Sequence, residues 1–391
     1  IDFMIANGLG ASIGGPSEVK VIDEYTVKVI FPTYNMTAAR LLANVYIYSK
    51  KTYDEKGLDY CDVHPVGTGP FVFKEYVPDG YVSFVRNDNY WQAGKPYLDG
   101  VEIKIIADAN AAMTAFANKQ LDTLSTSDEA IKQQIVGMGY EDVAIVTFDN
   151  QSITSFAPNT FVEGDPWSNL KVRQAVMLYG IDPVEVGMLA AGPVAQPNSQ
   201  FCMPGSLMYN EEVDKTITYD LEKAKKLLAE AGYPNGFKTD AYPTNVNVAV
   251  ATALQDVFKR LGIEMEIHTI PNGDTRRGDG VTPGIFFCNG KSKYDQLSGL
   301  ITTVFHTDAS QMSRNIKFSA EYEALYNKAM SAETEAERAK LAKELAYKLH
   351  IEECLSRVIY TKMGSVYIQD NIHDEQITYT NPDYVNLWKS K

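Results

Sequence analysis

Apolar and polar positions alternate with a period of two over residues 18–31. Val19, Val21, Tyr25, Val27, Val29 and Phe31 flank the Asp23-Glu24 pair, a pattern that predicts a β-hairpin. A second hairpin is predicted from Phe71–Phe73 and Tyr81–Val85 around Pro78-Asp79-Gly80, a strong turn sequence. A further strand is expected at Val101–Ile106, then a helix at about 108–120 with Asp108 as its N-cap.

Beyond residue 160 the period changes to that of a helix. Ser168 can cap a helix running to about Tyr179. Asp182-Pro183-Val184-Glu185 places Asp at the N-cap, Pro at N1 and Glu at N3, and Gly192-Pro193 ends that helix. Asp220–Gly232 carries Leu221, Ala224, Leu227, Leu228 and Ala231 on one face. Residues 247–262 repeat that pattern, and Ile263, Met265 and Ile267 then alternate as a strand. Helix followed directly by strand implies an α/β layer with crossover connections. Two helices fill 319–350, the second opened by the capping box at Thr334, and short strands return from Arg357. The stretch 271–284, polar and bounded by Pro271 and Pro283, reads as a loop.

The 391 residues suit two or three domains and a large core without disulfides. Asp and Glu (50) outnumber Lys and Arg (36), leaving a formal charge of −14. That balance excludes a nucleic-acid binder, which needs a basic face, and disfavours docking on an anionic membrane. Cys61, Cys202, Cys288 and Cys354 form no CxxC pair and suggest neither a zinc site nor a disulfide framework. No run of 18 apolar residues marks a membrane helix. The start, Ile1-Asp2-Phe3-Met4-Ile5, shows no signal peptide, so either one was removed or the chain begins partway through a longer protein.

Catalytic constellations are not found. The five histidines (64, 268, 306, 350 and 373) form no HExxH or other zinc spacing. His350, Glu353 and Cys354 share a helix face, where a half-buried His and Cys on an amphipathic helix explains them better than a metal. Gly10-Ala11-Ser12-Ile13-Gly14 fits the nucleophile-elbow pattern but lacks the helix that must follow the serine. Phosphate loops are missing, and Arg277-Gly278-Asp279 is a chance tripeptide in a polar loop. No catalytic residue, metal or cofactor is expected. The remaining clue is aromatic. Phe286, Phe287, Tyr294 and Phe305 alternate with Asn289, Asp295, His306 and Asp308, as in the wall of a ligand pocket or, equally, in a core. On the pocket reading, Phe287→Ala or Tyr294→Ala weakens binding and leaves the melting curve nearly unchanged.

One long stretch is distinctive: His64-Pro65-Val66-Gly67-Thr68-Gly69-Pro70-Phe71, then Asn87-Asp88-Asn89-Tyr90-Trp91 and Gly94-Lys95-Pro96-Tyr97-Leu98-Asp99. It resembles the signature of family 5 extracellular solute-binding proteins of ABC importers, the dipeptide-, oligopeptide- and nickel-binding type. Asp165–Ala175, Tyr219–Phe237 and Phe318–Tyr322 resemble later blocks of that family in the same order. Gly67 to Pro70 would let the chain turn sharply, and Tyr90, Trp91, Pro96 and Leu98 would pack a loop onto the lobe.

The resemblance implies an α/β fold of two lobes, periplasmic-binding-protein-like (class II), with mixed sheets flanked by helices and the first lobe incomplete. Residues 1–65 would be the remainder of the N-terminal region, 66–155 the first lobe, 156–360 the second and 361–391 the return. It implies a non-enzymatic, extracytoplasmic receptor, periplasmic or a cell-surface lipoprotein. Such a receptor traps a peptide or similar small solute in an interlobe cleft and hands it to a membrane permease. A ligand-sensing module of the same fold is the alternative. Segments bordering the cleft would supply Ser155, Phe156, Asn159 and Gln196, joining Phe287, Asn289, Tyr294, Asp295, His306 and Asp308 from the aromatic stretch. Peptide binders often carry an aspartate in a DP context ahead of the Phe318 block. Here Leu300–Asp308 has no DP, and only Asp295 or Asp308 could substitute for it. The family's long opening segment is missing, so a truncated chain, or a lobe completed by a second chain, is expected, with exposed sheet edge and apolar surface.

Overall fold

The computed structural model describes residues 16–31, 49–143, 151–291, 314–373 and 384–390, with positions 42, 45, 47, 297, 301 and 304–307. The chain forms two compact units. Gln151–Met363 is joined in one by the residues up to Ala43, and the other holds Asn44–Asn150 and Gly364–Lys391. Among the described residues no helix is long and apolar enough to cross a membrane.

The first hairpin pairs β1 (Glu18–Val21) with β2 (Val27–Ile30), as its alternation predicts. The smaller unit carries β3 (Phe71–Val77), β4 (Tyr81–Arg86) and β5 (Gly100–Lys104) as an antiparallel meander, followed by β6 (Thr123–Thr126). Asp79 takes φ 57° in the β3–β4 turn, a conformation that Asp tolerates through local hydrogen bonding. Asp108 accepts from Ala111 N at 2.7 Å and starts the helix Ala109–Ala117. Met113, Phe116, Leu124, Ile131, Ile135 and Tyr367 form a small core. The meander leaves Val72, Tyr76, Val85 and Ile103 exposed.

The signature segments meet in this unit. Asn87 Nδ2 donates to Gly69 O at 2.7 Å and Asn87 N donates to Pro70 O at 2.9 Å. Arg86 donates to Tyr97 O, Leu98 O and Asp99. Two of the expected reasons for the signature are corrected. Gly67 and Gly69 have no positive φ, and a Cβ on either would meet nothing within 4 Å, so no strained turn requires them. Trp91 is 76% exposed and packs no loop, whereas Pro96 is buried.

The larger unit is built on a six-stranded sheet. Its strands are β7 (Gln151–Pro158), β8 (Gln196–Pro197), β9 (Lys238–Tyr242), β10 (Glu264–Ile267), β11 (Ile285–Lys291) and β12 (Arg357–Met363), in the order β10-β9-β11-β7-β12-β8. β9 runs parallel to β10 and β11, and β7 is antiparallel to β11 and β12. Strands β9 to β12 therefore point the same way. Both faces are covered. Phe156, Ile285, Phe287 and Ile359 enter one core with Trp167, Val176, Leu254 and Phe258. Ile153, Ala157, Phe286, Cys288 and Val358 enter another with Phe201, Phe305, Tyr322 and Leu345. Each fully buried side chain of this size contributes roughly 1.5–3 kcal/mol.

Local sequence fixes the surrounding helices. Asp182 caps Pro183–Ala191, Asp220 caps Leu221–Glu230, and Thr334 caps Glu335–Tyr347. The cap expected at Ser168 moves one residue on: Asn169 accepts from Lys171 N at 2.9 Å, while Ser168 Oγ donates back to Asp165 O at 2.7 Å. That helix, Leu170–Gln174, widens into a π turn over Ala175–Tyr179. After β12 the chain enters the smaller unit as β13 (Ser365–Ile368), antiparallel to β6. β14 (Ile372–His373) then pairs with β15 (Trp388–Lys389). All four cysteines are buried and none is in a disulfide.

Candidate functional site

In open α/β sheets ligands bind beyond the carboxyl ends of parallel strands, where loops and unpaired backbone groups gather. In the larger unit β9, β10, β11 and β12 all end on one side, at Tyr242, Ile267, Lys291 and Met363. β7 starts on that side, at Gln151. Register sets Asn289 opposite Thr154, Thr154 opposite Tyr360, and Thr361 opposite Gln196. This end of the sheet thus carries hydroxyl and amide side chains.

Asn289 is held in place there. Its Nδ2 donates to Asn247 Oδ1 at 2.8 Å, and Asn247 Nδ2 donates to Thr244 Oγ1 at 3.2 Å. Asn247 and Thr244 are buried, while Asn289 is exposed. Burial raises the Tyr360 phenol pKa, and a hydrogen bond with Thr154 pulls it the other way. A fixed amide beside neutral hydroxyls suits recognition of polar groups on a solute. The adjacent thiol on β11, Cys288, is fully enclosed and its pKa is pushed up to about 12 by burial.

The structure places only part of the set expected from sequence at this end of the sheet, on strands separated by β7 and β12. Asn289 and Gln196 lie at the polar end of the sheet, both exposed. Ser155 is buried, and its Oγ donates to Cys288 O at 2.6 Å. Phe156 and Phe287 sit opposite each other across β7 and β11, 0% and 2% exposed, inside one core. The expectation that Phe287→Ala spares the melting curve is therefore reversed. Asn159 is at the far end of β7, where Nδ2 donates to Thr282 O at 2.8 Å and Oδ1 accepts from Phe161 N. His306 pairs with Glu323 at 3.2 Å and its ring lies 4.1 Å from that of Tyr326. Tyr294, Asp295 and Asp308 lie outside the described residues.

The loop 271–284 is tied down by its own polar residues. Arg276 donates twice to Asp274, at 2.9 and 2.8 Å, and these bonds hold the Asp274 carboxyl down to about 2. Asp279, of the Arg277-Gly278-Asp279 tripeptide, accepts from Val281 N and Thr282 N, so its carboxylate serves its own loop. His350, Glu353 and Cys354 do not converge. His350 Nδ1 lies 3.2 Å from Ser356 O, Cys354 Sγ donates to Ile351 O, and Glu353 accepts from Ser319 Oγ and pairs with Lys348.

Two arrangements escaped the sequence reading. The Asn289–Asn247–Thr244 chain spans segments more than forty residues apart and has no local signature. Asp240, Glu266 and His268 converge across β9 and β10. There the Glu266-Ile267-His268 alternation was legible as two donors on one face of a strand.

The family model for bacterial extracellular solute-binding proteins, family 5, middle region, matches residues 6–311. Heme-binding protein A of Haemophilus influenzae is 30% identical over 357 residues, covering 85% of this chain and 62% of the relative. The dipeptide-binding protein of Escherichia coli is 28% identical over 66% of this chain and 49% of its own length. The chain thus spans between about half and three-fifths of these relatives. Among solved structures, the ABC transporter substrate binding protein CtaP from Listeria monocytogenes superposes with a TM-score of 0.81 at 21% identity, over 98% of this chain and 80% of that one. DppA from Helicobacter pylori in complex with peptide STSA gives 0.76 at 21% identity, over 96% and 74%. The fold is that of the class II periplasmic binding proteins. With most of its length matched by the family model, the chain belongs to the bacterial extracellular solute-binding proteins of family 5.

Proposed function

We propose that this chain is the extracytoplasmic substrate-binding component of an ABC importer, taking a peptide or a similar small solute in an interlobe cleft and delivering it to a membrane permease. The observation that carries the reading is family membership combined with a polar, carboxyl-end site on the larger sheet. The family and the relatives named above are binding proteins, in keeping with a receptor that performs no chemistry. The names of those relatives widen the solute class from peptides to haem.

Asn289 and Gln196 are proposed to contact the solute, with Ser155, Phe156, Asn159 and Phe287 holding the strands that present them. His306, Tyr294, Asp295 and Asp308 stay in the proposed set on their sequence pattern alone. The test is native mass spectrometry of the protein purified from its own cell, followed by titration of whatever small molecule co-purifies. A bound peptide or haem supports import of that class. Replacing Asn289 by Ala should weaken binding by about ten-fold, the worth of one or two hydrogen bonds to a bound solute, and lower stability by about 1 kcal/mol through the lost bond to buried Asn247, so affinity is measured below the melting transition. A protein that carries no solute and binds neither peptides nor haem would overturn the reading. Unchanged affinity in Asn289→Ala would move the site elsewhere.

A further inference from the structure

Asp240 lies on β9 and Glu266 opposite it on β10, since the parallel register pairs the two positions. His268 follows two residues later on the same face as Glu266. His268 Nε2 is 2.9 Å from Asp240 Oδ1 and 3.9 Å from Glu266 Oε1, and one donor atom from each residue falls within 4.8 Å of the others. A metal held at about 2.0–2.2 Å in tetrahedral geometry needs donors about 3.4 Å apart, and the two distances bracket that value. The imidazole is braced from behind by the stacked Tyr242 ring, 5.5 Å away at 24°. Tyr242 in turn stacks on buried Phe286.

The electrostatics favour a cation. Asp240 and Glu266 also line an open hollow of about 580 Å³ at the sheet edge, with Asp165 and Glu264 against Lys238 and Lys259. Both lysines are committed, Lys238 to Glu264 at 3.0 Å and Lys259 to Asp256 at 2.8 Å. Asp165 has its carboxyl pushed up, by burial first and also by the charge of Asp240. The cluster therefore carries carboxylate charge with no ammonium or guanidinium paired to it among the described residues.

We infer that Asp240, Glu266 and His268 form a binding site for a first-row divalent cation of the zinc type, clamping the edge strand β10 to β9. One imidazole and two carboxylates suit such an ion, and the exposure of Glu266, 77% at its side chain, leaves the remaining position to water or a ligand. Calcium asks for six to eight oxygens and magnesium for near-octahedral oxygen geometry, so neither fits three donors that include a nitrogen.

The site stands independently of the proposed solute site, and its test separates the two. Zn²⁺ is titrated calorimetrically into the full chain, with melting followed in parallel. One ion per chain is expected, with a raised melting temperature and no displacement by excess Mg²⁺. His268→Ala and Glu266→Gln should each weaken zinc binding by at least ten-fold and abolish the melting shift. Glu266 is 77% exposed at its side chain, so its variant folds normally and keeps the test decisive. His64→Ala, an exposed histidine of the other unit, should change neither quantity. Zinc affinity that survives both substitutions, or that falls equally in His64→Ala, would overturn the site and leave a plain His268–Asp240 hydrogen bond.

Discussion

Phe287 separates a pocket wall from a core most cleanly, because the two roles predict opposite results for one substitution. Its side chain is 2% exposed and lies across the strand pair from Phe156, in the core that also holds Trp167 and Phe258. Truncation to Ala removes a whole ring from a close-packed layer and leaves a cavity that rigid strands on both sides cannot close. Such changes cost about 3–5 kcal/mol. For a unit of about 250 residues each kcal/mol lowers the melting temperature by about 2–4 °C, so the transition of the larger unit should fall by roughly 6–20 °C. Scanning calorimetry reads it directly. Phe156→Ala should behave alike, and the double variant should deviate from additivity by about 0.5–3 kcal/mol, because the two rings share one layer. A melting temperature within 2 °C of the parent, with solute binding lost, would show that Phe287 lines a pocket and that the reasoning from burial is wrong.

Two further outcomes follow from buried charge. His350 is fully enclosed, and burial pushes its pKa from the ordinary 6.5 down to about 4. The unfolded chain therefore takes up the proton first as pH falls. Stability from keeping this ring neutral is complete above pH 6.5, is lost progressively toward pH 4, and amounts to roughly 3 kcal/mol. Denaturant midpoints measured across that window should show a shallower slope in His350→Gln than in the parent, and parallel curves would refute the assignment. Arg357 is buried with Nε and Nη2 lacking a hydrogen-bond partner and Nη1 donating to Val358 O. Arg357→Met should stay within about 1 kcal/mol of the parent or exceed it. Arg173→Met strands the carbonyls of Trp167, Ser168 and Glu353 and should cost about 2–4 kcal/mol. Urea unfolding of the two variants in parallel decides it, and the reverse order would contradict the argument.

Features set by neighbours in the chain were legible in the sequence. The Pro78-Asp79-Gly80 turn closes through Gly80 N donating to Val77 O, and the caps at Asp108, Asp182, Asp220 and Thr334 rest on one side chain meeting backbone two or three residues away. Ser168 was placed one residue early because Ser and Asn cap equally well, and the choice between them depends on how the Asp165 turn delivers the chain. Phe286 and Phe287 misled for a different reason. Consecutive aromatics on a strand point to opposite faces, and both faces are covered here. The adjacent pair was itself the mark of a central strand rather than a pocket wall. The polar character of Asn289 could be read, but its brace, Asn247, lies on another segment. The Asp240–Glu266–His268 cluster likewise needs the β9–β10 register, which no local pattern fixes.

The same distinction explains why the recognisable blocks identify the fold and are silent on the ligand. Asp165 caps the turn that delivers Trp167, and Trp167 Nε1 donates to buried Thr239 at 2.8 Å while its ring packs among Phe156, Phe237 and Phe258. Arg173 closes three carbonyls, and Asn87 ties its loop to Gly69 and Pro70. Every one of these contacts is internal, and each would be needed whatever solute is carried. Residues that choose a solute must instead keep polar atoms available to it, the role proposed for exposed Asn289 and Gln196 at the carboxyl end of the sheet. Relatives of one fold can therefore differ in ligand, as the dipeptide- and heme-binding names of this chain's relatives show. Substitutions in the signature should change stability, and substitutions at the sheet's polar end should change affinity.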